Sequence, residues 1–277
     1  MKRVTQAPGD KAKVSSRWRL LDTGTQNAPY NMALEKVLLS SCTKGIVPNT
    51  LHFLEFFPCV LLGYSQSVED EAEEEFCKKN NIEINRRISG GGCIYMDSGT
   101  LGWEIIAKKN TPGIPAGLND MYGKLCGAVV AALSGFGINA LYRPLNDVEI
   151  DGRKISGTGG TGLDDSFIFH GTILADFDSD IMVKALKVPA KKPKENPAFD
   201  LKQQSANRRT VSMKELLGYV PAMGELKKCL AQAFAETLDI EFAGGGLLAE
   251  EIINLNRELP LFRSEEWVYK RDTMLTG

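Results

Sequence analysis

Histidine is scarce in this sequence: His52 and His170 are the only two among 277 residues. A metal centre built from several imidazoles is therefore excluded. The six cysteines are scattered, and no Cys-x-x-Cys pair occurs among them. This spacing predicts neither a zinc site nor a disulfide framework, and it is typical of a reduced protein. We therefore expect a cytoplasmic location.

Long apolar runs and an excess of positive charge are also missing. No segment approaches the roughly 18 consecutive apolar residues of a membrane-spanning helix. Residues 1–17 lack the apolar core of a secretory signal. The net charge of −2 provides no basic field for nucleic acid. Because 43% of the residues are hydrophobic, the sequence predicts a globular protein with no membrane and no nucleic-acid partner.

The order of predicted elements favours the α+β class. Residues 1–15 read as a disordered tail and residues 16–277 as one domain, with helices over 247–277 packed on it. Strands over 50–56 and 59–64, separated by Pro58, suggest a hairpin. Ser67 and Asp70 resemble a capping box that opens one helix through Lys79. Because hairpins and helices are mixed, we expect a mixed, largely antiparallel sheet flanked by helices.

A glycine-rich segment, residues 85–97, is the first candidate site. Alternating apolar residues precede it and Ile94-Tyr95 follows it, so Gly90, Gly91 and Gly92 join two predicted strands. Glycine lets the backbone approach a ligand closely, and successive N–H groups in such a turn bind anions. The preceding arginine pair offers bidentate recognition of phosphate or carboxylate. The alternative is a flexible hairpin loop.

A second candidate site surrounds Lys154. Asp151-Gly152 is a strong two-residue hairpin signal, and residues 157–162 form a second predicted glycine loop. That loop contains neither a dinucleotide fingerprint nor a Walker lysine. Lys154 lies on the hairpin directly before these glycines, which suits a cation fixed against a phosphate. The alternative is a solvated lysine on a hairpin.

Two further polar elements are ambiguous when taken alone. Asn146 and Asp147 are either turn residues or a pair that contacts a nucleotide or metal. His170 is flanked by apolar residues, so it is either a hydrogen-bonded core histidine or part of the site.

Together these segments resemble the lipoate–protein ligases of the biotin/lipoate ligase superfamily. The motifs that carry the resemblance lie at residues 31–35, 63–66, 86–97, 146–148, 153–157 and 170–174, with Ser205, Arg209 and Val211 further on. The resemblance implies a class II aminoacyl-tRNA synthetase-like fold. It also implies activation of lipoate by ATP to lipoyl-AMP, followed by transfer to a lysine of a lipoyl carrier protein.

The resemblance also implies a set of site residues. Lys154 is the expected catalytic residue, and Asp147 is the candidate Mg²⁺ ligand. The expected lipoate- and adenylate-binding residues are Gly63, Tyr64, Arg87, Ser89, Gly90, Gly91, Gly92, Tyr95, Asp97, Asn146, Asp147, Gly157, Thr158, His170, Gly171 and Thr172.

The partners follow from the same resemblance. The carrier is expected to be a lipoyl domain or a protein like the glycine-cleavage H protein. Many such ligases continue into a small accessory domain, whereas this chain ends soon after Trp267. We therefore expect a separate accessory protein that orders the lysine-rich segment 184–194 over the nucleotide.

Some positions depart from the family pattern and keep alternatives open. Gly102-Trp103-Glu104 replaces a common aromatic-Ser pair and places a carboxylate near the pocket, which leaves the acyl specificity open. An octanoyl or lipoyl transferase would need a cysteine nucleophile, and the positions where relatives carry it lack cysteine here. Cys93 is the remaining candidate, although a small core residue is the simpler interpretation. A catalytically silent sensor or carrier scaffold is a third reading, and a biotin ligase is disfavoured because its basic glycine loop is absent.

Overall fold

The computed structural model describes residues 16–144, 146–187 and 209–269, which contain eleven strands and nine helices. The strands are β1 (Ser16–Gln26), β2 (Thr50–Phe56), β3 (Cys59–Leu62), β4 (Glu83–Arg86), β5 (Ile94–Met96), β6 (Thr100–Lys108), β7 (Leu141–Arg143), β8 (Asp147–Ile150), β9 (Arg153–Leu163), β10 (Ser166–Leu174) and β11 (Ile240–Gly244). The helices are α1 (Ala28–Thr43), α2 (Val68–Glu71), α3 (Glu74–Lys79), α4 (Leu118–Ser134), α5 (Ser179–Ala185), α6 (Met213–Leu217), α7 (Met223–Leu238), α8 (Ala249–Phe262) and α9 (Glu265–Val268).

Eight of the strands form one mixed sheet in the order β11-β1-β2-β6-β10-β9-β8-β7. The pairs β11–β1 and β1–β2 are parallel, and the pairs from β2 to β7 are antiparallel. The predicted class, a mixed and largely antiparallel sheet flanked by helices, is confirmed. Asp151 and Gly152 both have positive φ, as a tight two-residue hairpin between β8 and β9 requires.

Helices cover both faces of this sheet. On one face, α1 and α8 pack against Leu54, Ile106 and Ile168. On the opposite face, α4 and α7 pack against Trp103 and Phe169, among others. Side chains alternate between the faces of a strand, so neighbouring residues of β6 and β10 serve different cores.

The predicted hairpin of β2 and β3 is wrong. β2 joins the large sheet, whereas β3 is the centre of a second sheet with the order β4-β3-β5. All four residues of β3 are buried, so this strand needs a partner at each edge and cover on both faces. Parallel pairing with β4 and antiparallel pairing with β5 supply the two edges.

Two local predictions also fail for tertiary reasons. The predicted helix through Lys79 is interrupted, because Ala72 forms an isolated bridge with Leu186 and the Glu73 amide donates to the Ala185 carbonyl at 2.9 Å. Ser67 makes no side-chain cap, so the predicted capping box is absent. The predicted second glycine loop is not a loop, since residues 157–162 lie within β9, where Gly157 pairs with β8 and residues 158–162 pair with β10.

The structure describes only part of the two chain ends for which predictions were made. The predicted C-terminal helices correspond to α8 and α9, while residues 270–277 and the predicted tail 1–15 lie outside the described residues. The described part of the chain contains no helix that is both long and apolar enough to cross a membrane.

Candidate active site

A cavity of about 680 Å³ lies where the two sheets meet. Its apolar lining consists of Met32, Leu54, Phe56, Leu61, Ile94, Met96, Trp103, Leu118, Tyr122, Leu174, Met182 and Leu186. The residues with polar side chains in its lining are Arg87, Tyr95, Thr100, Glu104, Asn119, Asn146, Lys154, Thr158, His170, Thr172 and Thr210. Such a mixture of an apolar wall and a few converging polar groups is typical of a small-molecule site.

Lys154 lies at this cavity and is held by a carboxylate. Its Nζ atom is 2.7 Å from Oδ1 of Asp147, and Oδ2 of Asp147 accepts a hydrogen bond from Arg143 at 2.9 Å. A Cβ on Gly157 would overlap the end of the Lys154 side chain, so only glycine there allows the lysine to fold across β9. The arrangement presents a partly exposed ammonium group in the cavity wall.

The backbone around Lys154 is fixed from both sides. Lys154 pairs with Glu149 across the hairpin, and its carbonyl accepts from the Val211 amide at 2.9 Å. Asn146 and Thr158 are joined by bonds from the Thr158 amide and hydroxyl to the Asn146 carbonyl, at 2.8 and 2.9 Å. The lysine therefore projects from a well-supported backbone.

The glycine loop lies against the cavity as predicted, with Gly90, Gly91 and Gly92 in its lining. Gly91 has a φ of 101°, and its carbonyl lies so close to Gly63 that a Cβ at Gly63 would overlap it. Gly63 is thus needed for close backbone packing, and it does not line the cavity.

The guanidinium groups of the arginine pair bind protein carbonyls in this structure. Arg87 donates to the carbonyls of Leu61, Gly90 and Gly92 at 2.9, 3.2 and 2.9 Å. Burial lowers the pKa of Arg87. Its fixed charge lies under the glycine loop and reaches the cavity wall, so the observed role is to shape the loop.

Arg86 is fully engaged away from the cavity. Its guanidinium donates to carbonyls of two separate segments, Gly63, Tyr64 and Gln66 on one side and Trp267 and Val268 on the other. With 1% of its surface exposed, this group has no room for a phosphate. Its function in the structure is to connect α9 to the turn after β3.

His170 belongs to a polar chain at the cavity wall. Its Nδ1 lies 2.9 Å from Oε1 of the buried Glu35 on α1, and its Nε2 lies 3.1 Å from Oγ of Ser89. Ser89, which precedes the three glycines, therefore connects the glycine loop directly to His170, although Ser89 itself does not line the cavity.

A second polar chain begins one strand away. Glu104 Oε2 lies 2.9 Å from Nδ1 of His52, and Nε2 of His52 lies 2.8 Å from the Thr23 hydroxyl. Burial lowers the pKa of His52 to about 3, so the imidazole is neutral at physiological pH. Burial, with the charge of Glu35 nearby, raises the pKa of Glu104 well above its ordinary value.

The described residues contain one group of three with metal-ligand chemistry, Glu35, Glu104 and His170. Both ring nitrogens of His170 already face hydrogen-bond partners, so the imidazole offers no free ligand atom. The Mg²⁺ ligand predicted from the resemblance, Asp147, faces two cations. Its Oδ1 lies 2.7 Å from Lys154 Nζ but is buried without a hydrogen bond among the described residues, and its Oδ2 accepts from Arg143. A role of Asp147 in binding Mg²⁺ stays a prediction, and the proposed reaction does not depend on it.

The two cysteines nearest the candidate site, Cys93 and Cys126, lack the environment of a nucleophile. Cys93 is the cysteine that lines the cavity, and burial raises its pKa to about 12. Cys126 lies 3.9 Å from the Thr158 hydroxyl, and burial raises its pKa to about 11. A catalytic cysteine needs the thiolate, which these sites disfavour.

The structure brings most of the predicted site residues to one cavity. The predicted residues in its lining are Arg87, Gly90, Gly91, Gly92, Tyr95, Asn146, Lys154, Gly157, Thr158, His170, Gly171 and Thr172. Tyr64 and Asp97 lie elsewhere: Tyr64 packs on Trp267, and Asp97 accepts from the amides of Gly99 and Asp178. Arg209 and Val211 are described, whereas Ser205 lies outside the described residues.

Sequence reasoning did not identify Glu35 or His52 as site residues. Glu104 pairs with both His52 and His170 in the sheet register, so these side chains form one row across three strands. That row becomes visible only after the strand order β2-β6-β10 is known, because the three residues are far apart in the sequence.

Residues 27–235 match the family model of the lipoyl protein ligase A/B catalytic domain. The chain belongs to this family. An octanoyltransferase LipM of Kyrpidia tusciae is 25% identical, over 92% of this chain and 99% of the relative. The lipoate-protein ligase A subunit 1 of Thermoplasma acidophilum is 28% identical, over 92% and 96% of the two chains.

The fold agrees with this membership. A solved structure described as a bi-partite lipoate protein ligase and its E2 lipoyl domain, from Thermoplasma acidophilum, has a TM-score of 0.79. It is 25% identical, and the match covers 92% of this chain and 96% of that one. The protein thus has the class II synthetase-like fold of lipoyl protein ligases, within a family of lipoate ligases and acyl transferases.

Proposed function

We propose that this protein is a lipoate–protein ligase, which activates lipoate with ATP and transfers the lipoyl group to a lysine of a carrier protein. The observation that carries this proposal is Lys154, a partly exposed cation held in the wall of a cavity that combines an apolar lining with a few polar groups. In the first step a carboxylate oxygen attacks the α-phosphorus of ATP, and pyrophosphate leaves. In the second step the carrier lysine attacks the acyl carbonyl, and AMP leaves.

Lys154 suits both steps for an electrostatic reason. Attack of one anion on another requires positive charge and N–H donors near the reacting oxygens. The Lys154 ammonium can move from Asp147 to the substrate while Asp147 keeps its bond to Arg143. The backbone of the glycine loop also lies at the cavity wall, and Asn146 and Thr158 place polar groups beside the lysine.

A cysteine-dependent octanoyltransferase is the second candidate, and the LipM relative favours it. That reaction passes through an acyl thioester and requires an activated thiol. In this chain the cysteine that lines the cavity, Cys93, has a pKa raised to about 12. The described residues thus support the ATP-dependent route over the thioester route.

The Cys93→Ser protein is expected to keep its rate of lipoyl transfer within about twofold, because a thiol with so high a pKa supplies no nucleophile at neutral pH. The measurement is the transfer rate to a lipoyl domain with lipoate and Mg-ATP, together with the intact mass of the enzyme. Cys229→Ser is the matched control, since Cys229 is also partly exposed and does not line the cavity. Loss of transfer in Cys93→Ser alone, with an acyl adduct on the wild-type enzyme, would establish the transferase.

The relatives also support two partners. The ligase of Thermoplasma acidophilum is described as bipartite and with an E2 lipoyl domain, so the carrier here is a lipoyl domain or a similar protein. A separate small accessory subunit would complete the activation step. Of the lysine-rich segment 184–194, which this subunit is predicted to order, residues 188–194 lie outside the described part of the chain.

Purified protein alone is expected to lipoylate a carrier domain faster from synthetic lipoyl-AMP than from lipoate and Mg-ATP. The reason is that lipoyl-AMP already contains the activated acyl–phosphate bond, whereas the first step must also order the site around the departing pyrophosphate of ATP. The two rates are compared on one carrier by mass spectrometry. Equal and efficient lipoylation from both substrates would show that no accessory subunit is required.

A further inference from the structure

Glu104 is a buried carboxyl group in the cavity wall, where its neighbours are apolar side chains together with the polar pair Glu35 and His170. It lines the cavity together with Leu54 and Trp103, and 2% of its surface is exposed. A carboxyl group in such surroundings is costly unless each oxygen has a hydrogen-bond partner. The partners of its two oxygens therefore indicate what the site is built to bind.

One of the two oxygens is held from behind. His52 lies 2.9 Å from Oε2, and the Thr23 hydroxyl lies 2.8 Å from the far side of the His52 ring. His52 itself is fully buried. This arrangement fixes the orientation of the carboxyl group without closing the cavity in front of it.

The other oxygen has no hydrogen-bond partner within the described residues. Among the described residues, the side-chain hydrogen bond of Glu104 is made by Oε2, with His52. Glu104 also lines the cavity. Burial raises the pKa of the group, which favours the protonated form. When His52 donates from Nδ1 to Oε2 and accepts from the Thr23 hydroxyl at Nε2, the carboxyl proton lies on the other oxygen, which then is a hydrogen-bond donor. A ligand atom that accepts a hydrogen bond would satisfy it.

The sheet register places Glu104 well away from Lys154. Glu104 pairs with His170, and His170 pairs with Gly159 on β9. The Lys154 side chain crosses Gly157, two residues before Gly159. Two strand spacings across the sheet and two residues along it separate Glu104 from Gly157 by roughly 12 Å. A carboxylate bound at Lys154 would thus bring the distal part of a medium-length acyl chain to Glu104.

We propose that Glu104 is a specificity residue for the distal part of the acyl chain, and that the preferred substrate is a carboxylic acid with a hydrogen-bonding heteroatom there. The inference rests on the proposed function, in which Lys154 binds the carboxylate end. A site that hydrogen-bonds a substrate group discriminates strongly against the analogue that lacks it. The plain hydrocarbon chain of octanoate leaves the Glu104 carboxyl group unsatisfied, whereas the sulfur atoms of lipoate or a distal hydroxyl group do not.

The test measures binding and transfer separately for three acids: octanoate, lipoate and 8-hydroxyoctanoate. Calorimetry gives the Kd of each free acid for the wild type, Glu104→Gln and Glu104→Leu, and the transfer assay gives kcat/KM. We expect the wild type to favour the two heteroatom-bearing acids over octanoate by at least about tenfold. Glu104→Gln keeps a donor and should retain this preference, whereas Glu104→Leu should favour octanoate.

The outcomes separate this inference from the proposed function. An unchanged ratio of Kd values in Glu104→Leu, or a wild type that binds octanoate as tightly as the others, overturns the inference. If Glu104→Leu does not fold by circular dichroism, His52→Gln serves instead: loss of the preference supports the inference, and an unchanged ratio overturns it. Selective binding by the wild type without any acyl transfer overturns the proposed function and leaves the role of Glu104 intact.

Discussion

Replacement of Lys154 by Met is expected to lower acyl-adenylate formation by about 10² to 10³-fold while the protein still folds. Lys154 is the partly exposed cation that reaches the cavity beside the polar pair Asn146 and Thr158. Methionine keeps the length of the side chain but removes the charge that would stabilise the reacting phosphate. The fold should persist because Asp147 keeps its hydrogen bond from Arg143.

Lys108→Met is the matched control for this change. Lys108 is 33% exposed and lies 2.8 Å from a carboxylate oxygen of Asp165, close to the 35% and 2.7 Å of Lys154 with Asp147. It does not line the cavity. The measurement is release of pyrophosphate with lipoate and Mg-ATP, in the presence of any accessory subunit that is required. A Lys154→Met protein as active as Lys108→Met would remove Lys154 from the mechanism.

Local sequence patterns predicted those parts of the fold that depend on local physics. The Asp151-Gly152 hairpin was predicted from these two residues, and both have the positive φ values that the turn requires. Such features depend on a few neighbouring residues. The sequence pattern alone therefore contains the information that determines them.

The features that were predicted wrongly are determined by contacts with segments distant in sequence. Whether β3 returns to β2 or forms its own sheet depends on β4 and β5, which follow it by some twenty or more residues. The break at Ala72 depends on a bridge to Leu186. Residues 157–162 were predicted to form a loop because glycine weakens a strand, yet pairing with β8 and β10 keeps them extended. Tertiary contacts override local preference in each case.

In the candidate site, too, some features were predictable from the sequence and others depend on tertiary contacts. Lys154, His170 and the glycine loop were predicted to converge, and the structure places them around one cavity. The arginine pair was predicted to bind phosphate, because the sequence shows a charge but not its partners. The hydrogen bonds of Arg86 and Arg87 to carbonyls required knowledge of how β3, the loop and α9 pack.

Replacement of Arg86 by Leu is expected to have the largest effect on stability. One guanidinium group supplies hydrogen bonds to five carbonyls that belong to the turn after β3 and to α9. Each buried polar group left without a partner costs about 1–3 kcal/mol. Because these losses are not fully additive, we expect a decrease of at least about 3 kcal/mol in the free energy of unfolding. For a domain of this size that is a fall of roughly 6–12 °C in Tm.

Arg153→Leu is the control, because Arg153 is 28% exposed and pairs with the exposed Glu215 at the surface. Surface ion pairs contribute up to about 1 kcal/mol, so its Tm should change little. Arg86→Lys sharpens the test further: lysine retains the charge but offers three donors from one atom, and it cannot span two segments as a planar guanidinium does. If the connection between α9 and the turn is the reason for the effect, Arg86→Lys should be nearly as unstable as Arg86→Leu. A Tm for Arg86→Leu equal to that of Arg153→Leu would show that these carbonyls find other partners, and that Arg86 does not hold α9 in place.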